Sequence, residues 1–167
     1  KSTSRLALRA HFLLFMSTIV LNMSMPLGAE PRRGTAWLRH GLEAPDPTFA
    51  PFPIVPSIPA LELAEGGRIR FGGIDLHVLH TPGHTEGSVC LEVADAGLLF
   101  TGDTLFAGGW GRVDLPGGNA EQMVESLGRL ATFEDRLAVI PGHGRHTTIG
   151  RERPWLELVQ RQGRLLL

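Results

Sequence analysis

The sequence has 167 residues, the length of one domain or of part of a larger one. Hydrophobic residues make up 43% of it, enough for a buried core, which excludes a largely disordered chain. Because 16 Lys and Arg residues are balanced by 17 Asp and Glu residues, no basic surface argues for nucleic-acid binding. The single cysteine, Cys90, excludes an intrachain disulfide, and its apolar neighbours favour a buried, inert thiol.

Residues 1–43 form an atypical N-terminal segment that has two interpretations. Basic residues precede an apolar stretch at 12–25, and small residues follow it, which is typical of a secretory signal peptide over residues 1–29. The alternative is a helix that leads into a buried strand near 18–24. The stretch is too short, and too often interrupted by polar residues, for a stable membrane span. We therefore expect a cytoplasmic protein, or an exported one if the signal interpretation holds.

The next segment, residues 44–59, contains six prolines. Proline lacks the backbone donor and blocks helix formation, so an extended connector is predicted here. Its apolar residues indicate that it packs against a surface. We assign the remaining residues, 60–167, to one half of a larger domain, for the reasons given below.

Four short strands are predicted at the start of this half. Residues 74–80 alternate with a period of two, which is typical of a strand, and Gly72 and Gly73 before them indicate a hairpin turn. A turn at 95–97 separates the third strand from the fourth. The four predicted strands are Arg68–Phe71, Ile74–His80, Ser88–Val93 and Leu98–Thr101.

A helix is predicted to begin after Asn119, which is a good N-cap residue. Gln122 stands where the partner of a capping box would reach back to the cap. An apolar stripe, typical of a helix packed against a core, then continues to Ala131. A short apolar strand is predicted at Leu137–Ile140.

The last predicted element is a helix that runs from the capping residue Thr148 toward Leu158. Pro154 lies inside it and predicts a kink or a restart at that point. The order of four strands, helix, strand and helix predicts an α/β (α+β) fold in which helices cover a sheet.

Three loops that follow strands carry His or Asp residues beside glycines. These loops are His80–Ser88, Phe100–Phe106 and Ile140–His146. A rigid sheet can direct side chains from such loops toward one point, and glycine permits close backbone approach. One His or Asp in a loop is usually an ordinary loop residue, but three loops of this kind together predict a shared site at His84, Asp103 and His143.

Imidazole and carboxylate groups are ligands that suit zinc or non-haem iron. Asp103 has two oxygens and can bridge two ions, while His84 and His143 can each supply one ring nitrogen. A water molecule held between two ions loses a proton near neutral pH and can attack a carbonyl group. We therefore predict a metal site without a catalytic side chain separate from the metal-bound water.

The motifs TPGHTEGS, FTGDTLF and PGHG resemble the later metal motifs of the metallo-β-lactamase superfamily, most closely those of its glyoxalase II-like branch, the hydroxyacylglutathione hydrolase relatives. FAGGWGRVDLPGG at 106–118 and HTTIGRE at 146–152 are also similar to segments of that branch. The resemblance covers roughly residues 60–160. It implies an αββα sandwich with the metals at one edge of its two sheets.

The resemblance also implies roles for the three predicted ligands. His84 resembles the third histidine on the first metal, Asp103 the aspartate that bridges the metals, and His143 the histidine on the second. A complete member holds two zinc ions, and iron is possible. The implied activity is the hydrolysis of a small-molecule substrate, a thioester or related acyl compound, by a metal-activated water.

The chain departs from the family pattern because it lacks the first motif, His-x-His-x-Asp-His. The histidines that precede residue 77 are His11 and His40, and each stands alone. We therefore expect an incomplete sandwich and an incomplete metal site, with impaired or absent activity. Either the reading frame is truncated, or the chain is a degenerate member that keeps the scaffold and has lost the chemistry.

Five further residues near the motifs are candidates for supporting roles. Arg112 and Asp114 either brace the loop as a local salt bridge or meet a substrate carboxylate. Trp110 is a candidate pocket wall or an ordinary loop aromatic. His80 is expected to support the ligands or the core, and His146 to hydrogen-bond near the site or to be an exposed loop residue.

Two other functions remain open. The first is a mononuclear iron enzyme similar to persulfide dioxygenase, a relative with a similar Gly-Arg-x-Asp loop, which metal content and oxygen consumption would distinguish from a zinc hydrolase. The second is a catalytically inactive fragment or binding scaffold. An upstream His-x-His-x-Asp-His motif would argue against it. The sequence predicts no oligomeric state.

Overall fold

The computed structural model describes residues 63–115 and 117–165. The predictions for the N-terminal segment 1–43 and for the connector 44–59 lie outside the described residues. Within the described part of the chain, no helix is both long enough and apolar enough to cross a membrane.

Strands of the described residues form a six-stranded sheet and a separate two-stranded ribbon. The sheet has the order β1-β2-β3-β4-β7-β8, and β5 pairs with β6 in the ribbon. The strands are β1 (Arg68–Phe71), β2 (Ile74–His80), β3 (Val89–Val93), β4 (Leu98–Gly102), β5 (Leu105–Phe106), β6 (Gly109–Trp110), β7 (Ala138–Pro141) and β8 (Thr147–Thr148).

All five predicted strands are confirmed to within one residue at each end. Phe71 pairs with Ile74, so Gly72 and Gly73 form the predicted two-residue hairpin turn. The turn before β4 is a short 3-10 helix at Ala94–Ala96, closed by Gly97. The ribbon and β8 were not predicted, because strands of two residues are too short to show a period of two.

Two helices follow the fourth strand, α1 (Ala120–Leu130) and α2 (Ile149–Gln162). The side chain of Asn119 accepts a hydrogen bond from the backbone N–H of Gln122, as its capping role predicts. The predicted reciprocal bond, from the backbone N–H of Asn119 to the side chain of Gln122, is not formed. The buried Oε1 of Gln122 has no hydrogen-bond partner among the described residues, so this prediction is wrong. Thr148 caps α2, and the predicted restart is also wrong because α2 is continuous through Pro154.

The two faces of the sheet carry separate apolar clusters, as strand alternation requires. Cys90, Leu99 and Val139 face the helices and pack with the buried stripe of α1 and with Leu156 and other residues of α2. The opposite face is formed by a second buried cluster, Leu76, Val78, Val89, Leu91, Val93 and Phe100. The result is a mixed α/β fold with a sheet and, on one face, a layer of helices.

The topology brings three strand ends to one edge of the sheet. β2 and β3 are antiparallel, as are β3 and β4, while β4 and β7 are parallel. The carboxyl ends of β2, β4 and β7 therefore lie at the same edge, and the loops after these strands carry His84, Asp103 and His143. Near this edge the register between β4 and β7 shifts, so that Phe100 and Gly102 pair with consecutive residues of β7 and Thr101 is passed over.

Candidate metal centre

Asp103 lies between the two histidines that the sequence predicts as metal ligands. The Nε2 atom of His84 is 3.5 Å from Oδ2 of Asp103, and the Nε2 atom of His143 is 3.5 Å from Oδ1. Each histidine therefore faces a different oxygen of one carboxylate. The structure brings together all three predicted ligands, from loops that are far apart in the sequence.

His84 is held in one orientation by the backbone of a neighbouring loop. Its Nδ1 atom is 2.8 Å from the carbonyl oxygen of Arg112. A carbonyl oxygen can only accept a hydrogen bond, so Nδ1 carries the proton and, in the neutral ring, Nε2 presents its lone pair to Asp103. This is the arrangement in which histidine serves as a metal ligand.

Gly111 permits this close approach between the Arg112 loop and His84. A Cβ atom added at Gly111 would lie 1.9 Å from the carbonyl oxygen of Asp103 and 3.2 Å from Cγ of His84. No side chain fits in that space. Gly111 thus sets the distance between the loop and two of the three candidate ligands.

His143 is held much more loosely than His84. Its side chain is 74% exposed, whereas the side chains of His84 and Asp103 are each 16% exposed. Its described neighbour besides Asp103 is Phe106 in β5, whose ring centroid is 4.4 Å from that of the imidazole. The ribbon therefore supports one histidine by ring packing, and the loop behind it supports the other by a hydrogen bond.

The donor set fits a metal ion on each side of the Asp103 carboxylate. The Oδ1 atom is buried and has no hydrogen-bond partner in the described part of the chain, which is costly for a carboxylate. Two donors that are each about 2.1 Å from a tetrahedral ion lie about 3.4 Å apart, close to both observed nitrogen–oxygen distances. His84 and Asp103 could hold one ion, and Asp103 and His143 a second.

Neither half of this arrangement is a closed site. Across residues 63–115 and 117–165, no group of three or more His, Cys, Asp or Glu side chains is arranged to hold one ion. The reason is geometric, because the two histidines approach opposite oxygens of Asp103 rather than a common point. A zinc ion usually takes at least three protein ligands, so each half needs donors beyond this trio.

The loop that carries His84 is fixed to the start of α1. The backbone N–H of Asn119 donates to the carbonyl of Gly83, and the hydroxyl of Ser126 donates to the carbonyl of Pro82. Gly83 adopts a φ of 138°, and a Cβ there would lie 2.5 Å from Cα of Met123. The Gly before His84 thus lets the loop lie directly against the helix.

Arg112 and Asp114 form the local salt bridge that the sequence suggested as one of two roles. Nε and one terminal nitrogen of Arg112 each lie 2.8 Å from an oxygen of Asp114. The Arg112 guanidinium lowers the pKa of the Asp114 carboxyl to about 2, so the pair stays charged at neutral pH. Both side chains are more than half exposed.

Trp110 packs against another tryptophan rather than standing alone in the loop. Its ring centroid is 5.6 Å from that of Trp155 in α2, at an interplanar angle of 43°. Trp110 is partly buried and contributes to the cluster between the sheet and the helices. This packing attaches the end of the ribbon to α2.

The two histidines proposed for supporting roles do not touch the three candidate ligands. Nε2 of His80 is 2.8 Å from the carbonyl oxygen of Glu86, within the loop that carries His84. His146 is exposed and makes no described hydrogen bond or ion pair. His80 therefore braces that loop from its own strand, and the structure gives the exposed-loop alternative for His146.

Two carboxylates with structural roles were missed by the sequence interpretation. Glu65 forms a bidentate ion pair with Arg129 and accepts a hydrogen bond from the backbone N–H of His80. Glu152 in α2 is only 6% exposed and accepts three hydrogen bonds, from Gly108, Thr147 and Trp155. The signal for Glu152 was its place in the HTTIGRE segment, but its partner Gly108 is 44 residues away.

Comparison with known proteins gives a family for this chain. Residues 19–143 match the family model of the metallo-beta-lactamase superfamily. The match begins inside the N-terminal segment 1–43, which was assigned above as atypical. An uncharacterised protein of Mycobacterium tuberculosis is 44% identical over 106 residues, which cover 58% of this chain and 47% of that protein. A hydroxyacylglutathione hydrolase of Haemophilus influenzae is 40% identical over 90 residues, 53% of this chain and 42% of that one.

Solved structures agree with the sequence relatives. ETHE1 from Myxococcus xanthus is similar with a TM-score of 0.56 and 36% identity, covering 60% of this chain and 46% of that one. TTHA1623 in a di-iron-bound form has a TM-score of 0.55 and 39% identity, covering 63% of this chain and 52% of that one. The chain spans about half the length of the curated relatives it matches. With three quarters of its own residues inside the family match, the chain belongs to the metallo-β-lactamase superfamily, a family of metal-binding proteins that includes metallo-hydrolases.

Proposed function

We propose that this chain supplies His84, Asp103 and His143 to a dinuclear metal centre that hydrolyses thioesters or related small acyl compounds. The observation that carries the proposal is the placement of Asp103, whose two oxygens face two different histidine nitrogens at equal distances of 3.5 Å. A buried carboxylate oxygen without a hydrogen-bond partner is expected where a cation belongs.

Each of the three residues has a distinct part in this proposal. Asp103 places a negative charge between the two halves of the centre, where it would offset two positive ions. His84 offers a fixed lone pair because the Arg112 carbonyl holds its other nitrogen. His143 offers the same donor from the solvent side. Bound metal ions would supply a hydroxide nucleophile at neutral pH and polarise the carbonyl of the substrate.

Relatives of the chain and the chemistry of its candidate ligands suggest a thioester as the substrate class and zinc or iron as the metal. The similarity to a hydroxyacylglutathione hydrolase supports a thioester substrate. Imidazole and carboxylate ligands suit zinc, while the di-iron form of TTHA1623 supports iron as an alternative. Metal analysis of protein purified under anaerobic conditions, with both metals supplied, would distinguish zinc from iron.

The 167 residues contain no His-x-His-x-Asp-His motif, so we expect the three donors to bind zinc weakly on their own. The dissociation constant for zinc should be larger than about 1 μM. Zinc binding to a complete structural site with four ligands contributes roughly 10–16 kcal/mol, and this chain offers fewer donors. Thioester turnover by this chain should be negligible. Stoichiometric zinc binding well below that concentration would contradict the proposal of an incomplete centre.

Zinc titration followed by histidine side-chain NMR tests the ligand assignment directly. The Nε2 signals of His84 and His143 should shift on zinc addition, and Asp103→Asn should remove both shifts. His77→Gln is the matched control, because His77 lies in β2, away from the strand ends, and the variant should titrate like the wild-type chain. Zinc shifts that persist in Asp103→Asn would refute the bridging role.

A second candidate function is a mononuclear iron enzyme similar to persulfide dioxygenase. It is favoured by the Gly111–Asp114 loop, whose Arg112 carbonyl contacts His84 directly. If this alternative is correct, one iron per chain should be bound in preference to zinc, and oxygen should be consumed with a persulfide substrate. Hydrolysis of a thioester without oxygen consumption would exclude it.

A further inference from the structure

A buried carboxylate outside the metal-ligand trio connects the supports of both histidines. Glu152 lies in the first turns of α2 and is 6% exposed. One of its oxygens accepts the backbone N–H of Gly108 at 2.7 Å and the indole N–H of Trp155 at 2.7 Å. The other oxygen accepts the hydroxyl of Thr147.

These contacts lead to both halves of the candidate centre. Gly108 lies in the turn between β5 and β6, so Glu152 fixes the ribbon at its tip. Phe106, on one side of that turn, packs on the ring of His143. Trp110, on the other side, is followed by the segment whose Arg112 carbonyl binds His84. Thr147 begins β8, directly after the loop that carries His143.

We infer that Glu152 is a positioning residue that sets the distance between His84 and His143 by anchoring the β5–β6 ribbon to α2. The inference rests on the proposed function only in giving this distance a purpose, since the anchoring itself is independent of metal. Glu152 touches none of the three candidate ligands, so it acts through the ribbon and the loop before β8.

The burial and bonding of Glu152 are those of a structural anchor. Burial alone would raise the pKa of its carboxyl, but its three hydrogen bonds and the charge of Arg145 together outweigh that effect and hold the pKa below the ordinary value. All its partners are donors to the carboxylate, and none is shared with the trio. A residue of this kind is expected to act on ligand geometry through orientation, as residues behind metal ligands do in other centres.

The test compares Glu152→Ala with Glu152→Gln in the full chain. Glutamine can keep all three contacts, because its oxygen can accept from Gly108 and Trp155 while its amide donates to the Thr147 hydroxyl. Glu152→Ala should shift the Trp155 indole N–H signal, increase solvent exchange of the His84 Nδ1–H, and remove the ring-current shift of His143. Glu152→Gln should retain all three signals near their wild-type positions.

Zinc titration adds a second readout that depends on the proposed function. Glu152→Ala should weaken zinc affinity roughly tenfold, and Glu152→Gln should restore it to within about threefold of wild type. If wild type binds no zinc at all, the proposed function fails, while the metal-free signals of His84 and His143 still decide the anchoring role. Unchanged ring signals of both histidines in Glu152→Ala would overturn the inference.

Trp155→Phe keeps the test decisive if Glu152→Ala does not fold. Phenylalanine preserves packing against Trp110 but removes the indole donor, leaving two of the three hydrogen bonds. In this variant the ring signals of His84 and His143 should move part of the way toward the positions expected when the β5–β6 ribbon is no longer held by α2. Ring signals identical to wild type in Trp155→Phe, together with unchanged signals in Thr147→Val, would overturn the inference by an independent route.

Discussion

Asp103 carries a cost in the metal-free chain that the proposed function explains. Its Oδ1 is buried without a hydrogen-bond partner among the described residues, and its Oδ2 faces Nε2 of His84, which is an acceptor in the neutral ring because the Arg112 carbonyl holds the Nδ1 proton. Such a grouping of acceptors is unfavourable unless a cation or a donor lies among them. Residues kept for binding often reduce stability in this way.

Asp103→Asn is therefore expected to stabilise the metal-free chain while removing zinc binding. The amide can donate to a histidine nitrogen, and the gain should be about 1 kcal/mol in the free energy of unfolding. Urea unfolding with a chelator present measures it. Asp95→Asn, in the exposed turn before β4, is the control and should leave the midpoint unchanged. A clear loss of stability in Asp103→Asn would contradict this account.

Gly111→Ala tests the close contact behind His84. The added methyl group would overlap the carbonyl oxygen of Asp103, so we expect a loss of about 2 kcal/mol or more in the free energy of unfolding. Gly109→Ala provides the control, since a Cβ at that position meets no atom within 4 Å. Urea unfolding of both variants measures the difference, and equal midpoints would show that the loop yields without cost.

At the scale of elements, an ion pair ties the segment before β1 to the first helix. Glu65 binds Arg129 of α1, and both contact the backbone of His80 at the end of β2. The Arg129 side chain lowers the pKa of Glu65 to about 2. The ordinary pKa of a glutamate carboxyl is 4.5, and this is the pKa of Glu65 in the unfolded chain. The ion pair therefore contributes fully to stability above about pH 4.5, and its contribution is lost as the pH falls toward 2.

Arg129→Met should remove this contribution and reduce stability at pH 7 by about 1 kcal/mol or less. The estimate is kept small because both side chains are more than one third exposed and solvent screens the pair. The difference from wild type should shrink between about pH 4.5 and pH 2. Arg136→Met, which removes a more exposed pair with Glu134, is the control and should show no such pH dependence.

The elements differed in how far the sequence could predict them. β2 was predictable because its period of two reflects one buried face, and α1 because its cap and its apolar stripe agree. The continuity of α2 through Pro154 was not predictable, because packing on the sheet overrides the local cost of proline. The anchoring by Glu152 depends on a partner 44 residues away, which no local pattern reveals.

At the scale of the whole molecule, the candidate site was predictable to the extent that it depends on topology. Ligands after β2, β4 and β7 converge because those strands run in the same direction. The predicted trio His84, Asp103 and His143 therefore lies together. The orientation of each ring was not predictable, since it depends on the Arg112 carbonyl and on Phe106.

Cys90 gives a measurement of the stability of the whole described core. It is the single cysteine of the chain, it is fully buried between sheet and helices, and burial raises its pKa to about 11. Thiol labelling should be slower in the native chain than in urea by on the order of a thousandfold or more, because it requires the core to open. Fast labelling without denaturant would show that sheet and helices separate readily.

The shift in register between β4 and β7 has a consequence for how this chain tolerates change. Thr101 is passed over by the pairing and turns its hydroxyl to the carbonyl of Leu105. Side chains alternate along a strand, so one residue fewer between Phe100 and Asp103 would send the carboxylate toward the opposite side of the sheet. A single deletion in this segment would thus disrupt the centre while leaving every ligand in the sequence.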